Sequence, residues 1–356
     1  MTTRETGTTR LAVIGAGLIG REHITLIENY PETTLVAICD PAPASATFAA
    51  DQGIPHFTDH EHMFNEVAMD GVIIASPNRL HAPMALSAIS RGIPCLVEKP
   101  VAENLAAAAS IVTASETRGV PVLVGHHRRH SPDIRAARKT IGDGTLGPLV
   151  AVNGMTLFDK PDSYFEAEWR QQPGGGPLLI NLIHDLDILR HLIGEIESIR
   201  AFTSSAIRGF AVEDTASVTI RFENGVLGTY LISDAAVSPW AWEFSSGQAL
   251  YFPSQPGPNL FIAGRKASLS LSDLYLWRHA EEGQNWQDPL LRDHIPPELG
   301  SAYINQLQHF IEVIDGKADP LISARDGMTT LAAILAVERA AQEDRSVTLK
   351  EMLPST

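Results

Sequence analysis

The sequence predicts an α/β protein in two parts: a doubly wound parallel sheet comes first, and an α+β part with an open, mainly antiparallel sheet follows. Continuous apolar runs alternate with helical stretches over the first third of the chain, which is typical of buried parallel strands joined by helices. After Gly125 apolar and polar residues alternate, and Asn224-Gly225 joins two such runs. An Asn-Gly pair in that context indicates a β-hairpin and therefore an antiparallel sheet.

Five apolar runs predict the strands of the first part. They are 11–17, 34–40, 71–76, 95–99 and 120–125. A helix is predicted from about Leu18 to Tyr30, because Pro31 cannot continue it. Two further helices are predicted over 80–92 and 103–119, and each closes on a glycine, as helices commonly do.

The second part is predicted to combine helices with its strands. Ser131 and Pro132 suit the cap and the first turn of a helix. The other predicted elements are strands at 149–158 and 266–277 (one strand or a pair), a long surface loop at 280–298, and closing helices at about 301–315 and 325–343.

The length and charge of the chain limit its number of domains and the kinds of partner it can have. A chain of 356 residues predicts two domains, which we place at 1–125 and 126–356. The net charge of −15 argues against nucleic acid and anionic membrane surfaces as partners. No apolar run reaches the ~18 residues of a membrane span, and the first ten residues lack the apolar core of a signal peptide. The expected location is therefore the cytoplasm.

The two cysteines predict no disulfide. Cys39 and Cys95 both lie in apolar runs that indicate buried strands, so two free thiols are expected. Neither has the spacing of a metal site, and no metal is predicted.

The stretch "GAGLIG", Gly15 to Gly20, matches the pattern GxGxxG between a predicted strand and a predicted helix, the context of a dinucleotide-binding Rossmann domain. Gly15 permits the tight turn, Gly17 lets the backbone approach a pyrophosphate, and Gly20 lets helix and strand pack closely. Leu18 and Ile19, which open the helix, are expected beside the same ligand.

Asp40 selects the dinucleotide. It lies 20 residues past Gly20, at the end of the second strand, where a carboxylate accepts hydrogen bonds from a ribose hydroxyl. It would also repel a 2′-phosphate, and no Arg or Lys follows it closely. The sequence therefore favours NAD over NADP. The alternative is a glycine-rich turn that binds nothing.

Two motifs follow the third and fourth strands. Ligands bind beyond the carboxyl ends of the strands in an open parallel sheet, so we expect Ser76, Pro77 and Asn78 of "SPNRLH" to contact the cofactor. His81 is expected there too, although a polar residue in a first helical turn is often only a cap. Glu98 belongs to the second motif, "EKP", and faces the same crevice.

Lys99, the central residue of "EKP", has two interpretations. It is either a solvated charge at a strand end or a group of the active site. Pro100 biases Lys99 towards an extended backbone and is compatible with a cis peptide bond.

A glycine-rich lead-in, Gly174–Gly176, precedes a helix of mostly apolar residues. Residues three and four apart share a helix face, which predicts one polar line made of Asn181, His184, Asp187 or Ile188, and His191. A largely buried helix must direct such a line at partners or at a cavity. The alternatives are a satisfied core network and a ligand site. The glycines favour the second, because they permit a backbone to approach a ligand closely.

Together these motifs resemble the glucose–fructose oxidoreductase / inositol dehydrogenase / rhizopine catabolism (Gfo/Idh/MocA) family, nearly from end to end. The matching stretches are "VIGAGLIGREH", "SPNRLH", "GIPCLVEKP", "GHHRRHSP", "GGGPLLINLIHDLDILRHLIG" and "YINQLQHFIEVIDG…LISARDGMTTL". The resemblance implies a Rossmann domain, a second domain whose open sheet carries the oligomer contacts of a homodimer or homotetramer, and reversible oxidation of a secondary hydroxyl on a sugar, inositol or related polyol.

The same resemblance implies roles for single residues. Lys99 and His184 correspond to the family's catalytic lysine and histidine, with His184 as general base and Lys99 stabilising alkoxide character. Many members carry an Asp where this chain has Ile180; Asn181 follows it and is expected to orient a substrate hydroxyl. His127 falls where members often carry Asn.

Five further residues are weaker candidates for the substrate site. They are Trp169, Arg170, Arg128, Arg129 and Tyr303; packing within an exposed loop is the alternative for Trp169 and Arg170. Three alternative functions stay open at this point. The first alternative is a non-catalytic, NAD-sensing regulator. The second is an enzyme that cleaves glycosides through transient hydride transfer to NAD, and the third is a reductase that runs towards the alcohol.

Overall fold

The structure is a computed structural model and describes residues 7–248 and 252–354. The chain forms two compact units. One runs up to His127 and includes Tyr303–Leu331; the other comprises Arg128–Ala302 and the chain from Ala332 onward. The expectation about a signal peptide falls partly on residues 1–6, which lie outside the described residues.

The first unit is built on a sheet of six parallel strands. They are β1 (Thr9–Ile14), β2 (Thr33–Cys39), β3 (His56–Phe57), β4 (Gly71–Ile74), β5 (Cys95–Val97) and β6 (Val122–Val124). Their order is β3-β2-β1-β4-β5-β6, and every neighbouring pair is parallel. The order reverses between β1 and β4, and the crevice beyond the carboxyl ends of these two strands is where such sheets bind ligands. The predicted doubly wound sheet is confirmed.

Helices connect these strands. They are α1 (Leu18–Asn29), α2 (Pro43–Asp51), α3 (His60–Glu66), α4 (His81–Ser90) and α5 (Leu105–Arg118). Neither β3 nor the helices α2 and α3 were predicted, because β3 has two residues and both helices are short. Cys39 and Cys95 are free and buried, as predicted. Burial raises the pKa of each thiol to about 12.

The second unit is built on a nine-stranded sheet. Its strands are β7 (Leu149–Leu157), β8 (Ile196–Ser204), β9 (Thr215–Phe222), β10 (Leu227–Ser233), β11 (Leu260–Gly264), β12 (Ala267–Leu271), β13 (Tyr275–Arg278), β14 (Leu291–His294) and β15 (Val347–Thr348). Their order is β14-β13-β12-β11-β7-β10-β9-β8-β15. Only the central pair β7–β10 is parallel among the described pairings, so the predicted, mainly antiparallel sheet and the hairpin β9–β10 are confirmed.

The helices that follow β6 in the chain, whichever unit they belong to, are α6 (Pro132–Gly142), α7 (Ile183–Ile193), α8 (Trp242–Ser245), α9 (Ala302–Ile314), α10 (Ala324–Gln342) and α11 (Leu349–Met352). One prediction was wrong here. The segment 280–298 is not loop throughout, since β14 pairs with β13 at the edge of the sheet. Both strands are four residues long, and "LRDH" lacks a run of apolar residues that would reveal a strand.

The C-terminal tail is divided differently from the prediction. Residues 126–356 were expected to form one domain, but Tyr303–Leu331 belong to the first unit. The cause is packing on β4: a Cβ atom at Gly71 would lie 2.6 Å from Ile314 and 3.2 Å from Phe310, both on α9. Because no local pattern reports such a long-range contact, the sequence did not reveal it.

In the described part of the chain, no helix is both long enough and apolar enough to span a bilayer.

Replacing Gly71 by Val tests the packing of α9 on β4. Valine favours strands, so local propensity alone predicts no loss. The close approach of Ile314 instead predicts destabilisation by ~1–3 kcal/mol, measured by denaturant unfolding.

Two controls complete this experiment. Adding Ile314→Ala should recover part of the loss, because it removes the nearest side chain. Gly142→Ala, where a Cβ meets nothing within 4 Å, should be close to neutral. Wild-type stability in Gly71→Val would contradict the described packing.

Candidate functional site

The glycine-rich turn between β1 and α1 has three glycines with different surroundings. Gly15 has a φ of +94°, and a Cβ there would lie 2.5 Å from the Ala75 carbonyl oxygen. A Cβ at Gly20 would overlap the carbonyl oxygen of Gly15. At Gly17 a Cβ meets nothing within 4 Å. Packing within the fold thus explains the first and third glycines, whereas the second leaves open space before the positive end of α1, which fits a pyrophosphate.

Asp40 lies beside this turn, at the end of β2. Its Oδ2 accepts a hydrogen bond from the Ala16 N–H at 2.7 Å, and its Oδ1 accepts one from the Ala42 N–H at 2.8 Å. Each carboxylate oxygen has a second lone pair, which leaves capacity for a ribose hydroxyl. Leu18 is 76% exposed at the start of α1, and Ile19 is half-buried.

The motif after β4 presents some residues and buries another. Pro77 and Asn78 are exposed. Ser76 Oγ is a buried hydroxyl with no hydrogen-bond partner within the described ranges, which is consistent with a ligand atom as its partner.

His81 does not face a ligand. It is fully buried, and its two ring nitrogens lie 2.8 Å from the carbonyl oxygens of Ser76 and Pro100. Burial lowers the pKa of His81, opposed by these two carbonyls. Direct contact with a cofactor, as predicted, does not fit this position. His81 instead connects the SPNRLH and EKP motifs, because it contacts the carbonyl oxygens of Ser76 and Pro100.

Glu98 and Lys99 follow β5. Glu98 Oε1 lies 2.8 Å from His23 Nε2, and its Oε2 accepts the Lys99 N–H at 3.2 Å. Burial opposes the charge of Glu98, but the hydrogen bond from His23 and the nearby charges of His23, His127 and Lys99 prevail and lower its pKa. The Lys99–Pro100 peptide bond is cis, in agreement with the sequence. An ionised carboxylate therefore lies next to half-buried Lys99.

His127 and Tyr303 come together in the same unit. Their rings stack with centroids 4.3 Å apart and planes 12° apart. The ring of His23 meets Tyr303 edge-on at 6.2 Å. Two residues predicted separately as substrate contacts thus form one aromatic pair beside the His23–Glu98 interaction.

In the second unit, the glycine-rich stretch does not start as a regular α-helix. Leu178–Leu182 form a π-helical turn, and α7 follows from Ile183. The wider turn breaks the α-helical spacing from which one polar line was predicted. Asn181 Oδ1 accepts a hydrogen bond from Lys160 Nζ at 3.0 Å, and His184 is 8% exposed.

The acidic residues of α7 are engaged by arginines. Arg129 donates from Nε and Nη2 to Asp187 at 2.8 and 2.7 Å, and Arg128 donates to Asp185 at 2.7 Å and to Glu243 at 2.8 Å. Both arginines are at least 95% buried. Buried ion pairs thus engage Arg128 and Arg129, and Asp187 belongs to a core network of charged partners, which was one of the two alternatives for the polar line.

Two of the three glycines before the helix, Gly175 and Gly176, are packed closely against other parts of the chain. A Cβ at Gly175 would overlap the backbone of Trp169 and Arg170, and one at Gly176 would overlap the Glu213 carboxylate. Glu213 also accepts the N–H of Leu178 at 3.1 Å. Contact with neighbouring chain segments therefore explains Gly175 and Gly176 without a ligand; no sequence pattern shows a chain segment crossing from elsewhere.

Trp169 and Arg170 lie on a short turn before the glycines. Trp169 is 57% exposed. The Arg170 guanidinium lies 3.8 Å from the ring centroid of Tyr164 and 5.2 Å from that of Trp169. Arg170 thus joins two aromatic side chains and remains half-buried.

Comparison with known proteins identifies the family. The Gfo/Idh/MocA family, described as an oxidoreductase family with an NAD-binding Rossmann fold, matches residues 9–126, and the GFO/IDH/MocA C-terminal domain matches 134–270. The chain belongs to the Gfo/Idh/MocA oxidoreductase family.

Relatives of this Gfo/Idh/MocA protein match it over most of its length. D-apiose dehydrogenase of Paraburkholderia graminis is 29% identical, over 96% of this chain and 90% of the relative. Inositol 2-dehydrogenase of Rhizobium meliloti is 26% identical, over 96% and 99%. The solved WlbA dehydrogenase of Bordetella pertussis, in complex with NADH and UDP-GlcNAcA, has the same fold, with a TM-score of 0.79, 23% identity and coverage of 98% and 100%.

Sequence reasoning missed two residues of this Gfo/Idh/MocA protein. His23 lies three residues after Gly20 on α1, which places it on the helix face that packs on the sheet, and that spacing was a usable signal. Lys160 carries no such signal, because its partners Asn181 and Asp234 are remote in sequence. No group of three or more His, Cys, Asp or Glu side chains suited to a metal ion occurs in 7–248 or 252–354.

The surroundings of Gly17 and Gly20 predict opposite effects of alanine. Gly17→Ala should leave thermal stability near that of the wild type but weaken NAD binding about 10-fold or more, because the methyl group enters the open space before α1. Gly20→Ala should instead lower the unfolding free energy by ~1–3 kcal/mol. Fluorescence titration with NAD and thermal melts measure the two effects; unchanged NAD affinity in Gly17→Ala would refute this interpretation.

Glu338 predicts a pH-dependent stability. Burial, with the charge of Glu213 beside it, raises the pKa of Glu338 from 4.5 to about 7. The folded state then holds the Glu338 proton more tightly than the unfolded state does. Stability is therefore lost as the pH rises from 4.5 through about 7. Glu338→Gln should stabilise the protein by ~1–3 kcal/mol at about pH 8 and have little effect below pH ~4.5.

Glu343→Gln is the matched control. Glu343 is exposed and its pKa is lowered by its hydrogen bond with Arg339, so its replacement should bring no gain at alkaline pH. Equal pH profiles for the two variants, from denaturant unfolding, would contradict the assignment.

Proposed function

We propose that this protein is an NAD-dependent dehydrogenase that reversibly oxidises a secondary hydroxyl of a sugar, inositol or related polyol. The observation that carries the proposal is Lys99 at the carboxyl end of β5, beside a Glu98 whose pKa is lowered, in a chain of this oxidoreductase family. The names of the relatives support the substrate class, since one is a D-apiose dehydrogenase and another an inositol 2-dehydrogenase.

The cofactor contacts come from the first unit. Gly15, Gly17 and Gly20 shape the pyrophosphate site, with Leu18 and Ile19 beside it, and Asp40 receives the ribose hydroxyls and disfavours NADP. Further contacts are assigned to Ser76, Pro77, Asn78, Glu98 and Lys99. The predicted segment 1–125 thus binds NAD, and 126–356 supplies substrate and oligomer contacts.

Bound NAD supplies a hydride acceptor at its nicotinamide ring. Lys99 donates a hydrogen bond to the reacting oxygen and stabilises its developing negative charge. His184 accepts the hydroxyl proton as general base. Asn181, Trp169 and Arg170 orient the rest of the substrate.

His127 and Tyr303 complete the proposed substrate contacts. Their stacked rings offer an apolar face of the kind on which a sugar ring packs.

The proposed assembly is a homodimer or homotetramer in the cytoplasm, with no nucleic-acid or membrane partner. Apolar side chains support it on one face of the nine-stranded sheet, where the strand register places Phe202 and Leu231 in one row. Phe202 is 62%, Leu227 56%, Leu231 41% and Phe261 41% exposed, and we assign the contacts between protomers to this face.

A panel of polyols and sugars, assayed with NAD by NADH absorbance, tests the activity. Lys99→Ala and His184→Ala should each lower kcat by about 10²–10⁴-fold. NAD should still bind to both variants, with wild-type affinity in His184→Ala and with some loss of affinity in Lys99→Ala, because Lys99 is also assigned a cofactor contact. The exposed His62→Ala and Lys317→Ala are matched controls and should retain wild-type turnover.

The outcomes distinguish the alternatives. Near-normal kcat in either active-site variant would overturn the assignment of that residue. NAD binding without turnover of any panel member would favour an NAD-sensing regulator. Cleavage of a glycoside without net NADH would favour the glycoside-cleaving reaction.

A further inference from the structure

We propose that Lys160 is a positioning residue that locks the Asn181 side chain with its amide nitrogen outward, so that the substrate site offers a neutral hydrogen-bond donor at this place. The inference rests on the proposed function, because it deepens the account of how that site recognises its substrate.

Lys160 is held in a closed set of contacts after β7. Its side chain is 10% exposed. Its Nζ lies 3.0 Å from Asn181 Oδ1, 3.3 Å from Asp234 Oδ2 and 4.7 Å from the ring centroid of Tyr164. An ammonium has three N–H groups; two oxygens accept from it, and the ring of Phe158 also lies beside it, with its centroid 5.5 Å from Nζ.

The chemistry of the ammonium fixes the amide. An ammonium donates and never accepts, so the Asn181 atom that faces Lys160 is the oxygen. The Nδ2 group of Asn181 is therefore directed away from Lys160. Within 7–248 and 252–354, no atom accepts a hydrogen bond from it, and Asn181 is only half-buried.

The ion pair with Asp234 does not by itself explain the position of the Lys160 side chain. Asp234 is 1% exposed and already receives a hydrogen bond from Arg208 Nε at 3.1 Å. The Lys160 contact with Asn181 is the shorter of its two polar contacts. The lysine thus serves Asn181 as well as the carboxylate.

A fixed donor has consequences for the substrate. A carboxylate at position 180, as the family resemblance implied, would accept hydrogen bonds from substrate hydroxyls. This chain has Ile180 and, one residue later, an amide whose N–H groups require an oxygen that accepts. We infer that a substrate oxygen accepts a hydrogen bond from the Asn181 amide, as a carbonyl, ring, carboxylate or hydroxyl oxygen can, whereas a carboxylate at this place would accept one from a substrate hydroxyl instead.

The first test measures KM and kcat with the best substrate of the polyol and sugar panel. Lys160→Met should raise KM about 10-fold or more and change kcat less than about 3-fold, because a ground-state contact is lost. Lys160→Arg, which keeps a donor-only cation, should restore KM to within about 3-fold. The control Lys317→Met removes a lysine from an exposed pair with Asp315 and should leave both constants unchanged.

The pH profile gives a second, independent signature. Burial lowers the pKa of Lys160, opposed by Asp234 and Glu243, with Arg208 adding to the lowering. A neutral amine accepts hydrogen bonds, so when Lys160 loses its proton the Asn181 amide can rotate and direct its nitrogen at Lys160. KM of the wild type should therefore rise at alkaline pH, and KM of Lys160→Arg should not.

The third test needs no substrate. In protein labelled with ¹⁵N-asparagine, the Asn181 side-chain signal is assigned by its loss in Asn181→Asp. It should shift in Lys160→Met, keep its position in Lys160→Arg and move in the wild type only at alkaline pH.

An unchanged Asn181 signal in Lys160→Met would overturn the proposal that Lys160 orients the Asn181 amide, whatever the activity. A shifted signal in a protein that oxidises nothing would support that orientation while refuting the proposed function. A KM of Lys160→Met within about 3-fold of the wild-type value would overturn the inference that the oriented Asn181 amide binds the substrate.

Discussion

The close contact between the first turn of α1 and the loops after β1 and β4 is the constraint on which the proposed cofactor site depends. Gly15 and Gly20 are both required for it, because a Cβ at either position would collide with backbone. The contact fixes the positive end of α1 at the carboxyl edge of the sheet, where Ser76 and Lys99 also follow their strands. Gly17 is not needed for packing, which is why its open surroundings indicate a ligand.

Buried ion pairs organise the second unit in a comparable way. Arg128 and Arg129 leave one short turn and bind Asp185 and Asp187 of α7 at 2.7–2.8 Å. Removing one partner of such a pair leaves an uncompensated buried charge, which is costly. These pairs therefore fix the position of α7, the helix that carries His184.

The polar groups of the two units show how neighbours change the chemistry of a residue. Glu98 keeps its charge in a buried setting because His23 and Lys99 lie beside it. Asn181 cannot carry a proton as a carboxylate does, but Lys160 gives it one defined orientation. In both cases a neighbouring charged side chain fixes the state of a polar group.

The sequence by itself determined the two sheets, the glycine-rich turn with Asp40 and the hairpin at Asn224-Gly225, because each depends on residues close together in the chain. Only the tertiary structure decided which residues meet across long separations. Arg129 pairs with Asp187, 58 residues away, and Lys160 with Asn181, 21 residues away. The π-helical turn before His184 and the packing of α9 on β4 were also decided there, since backbone geometry and packing depend on partners that no local pattern contains.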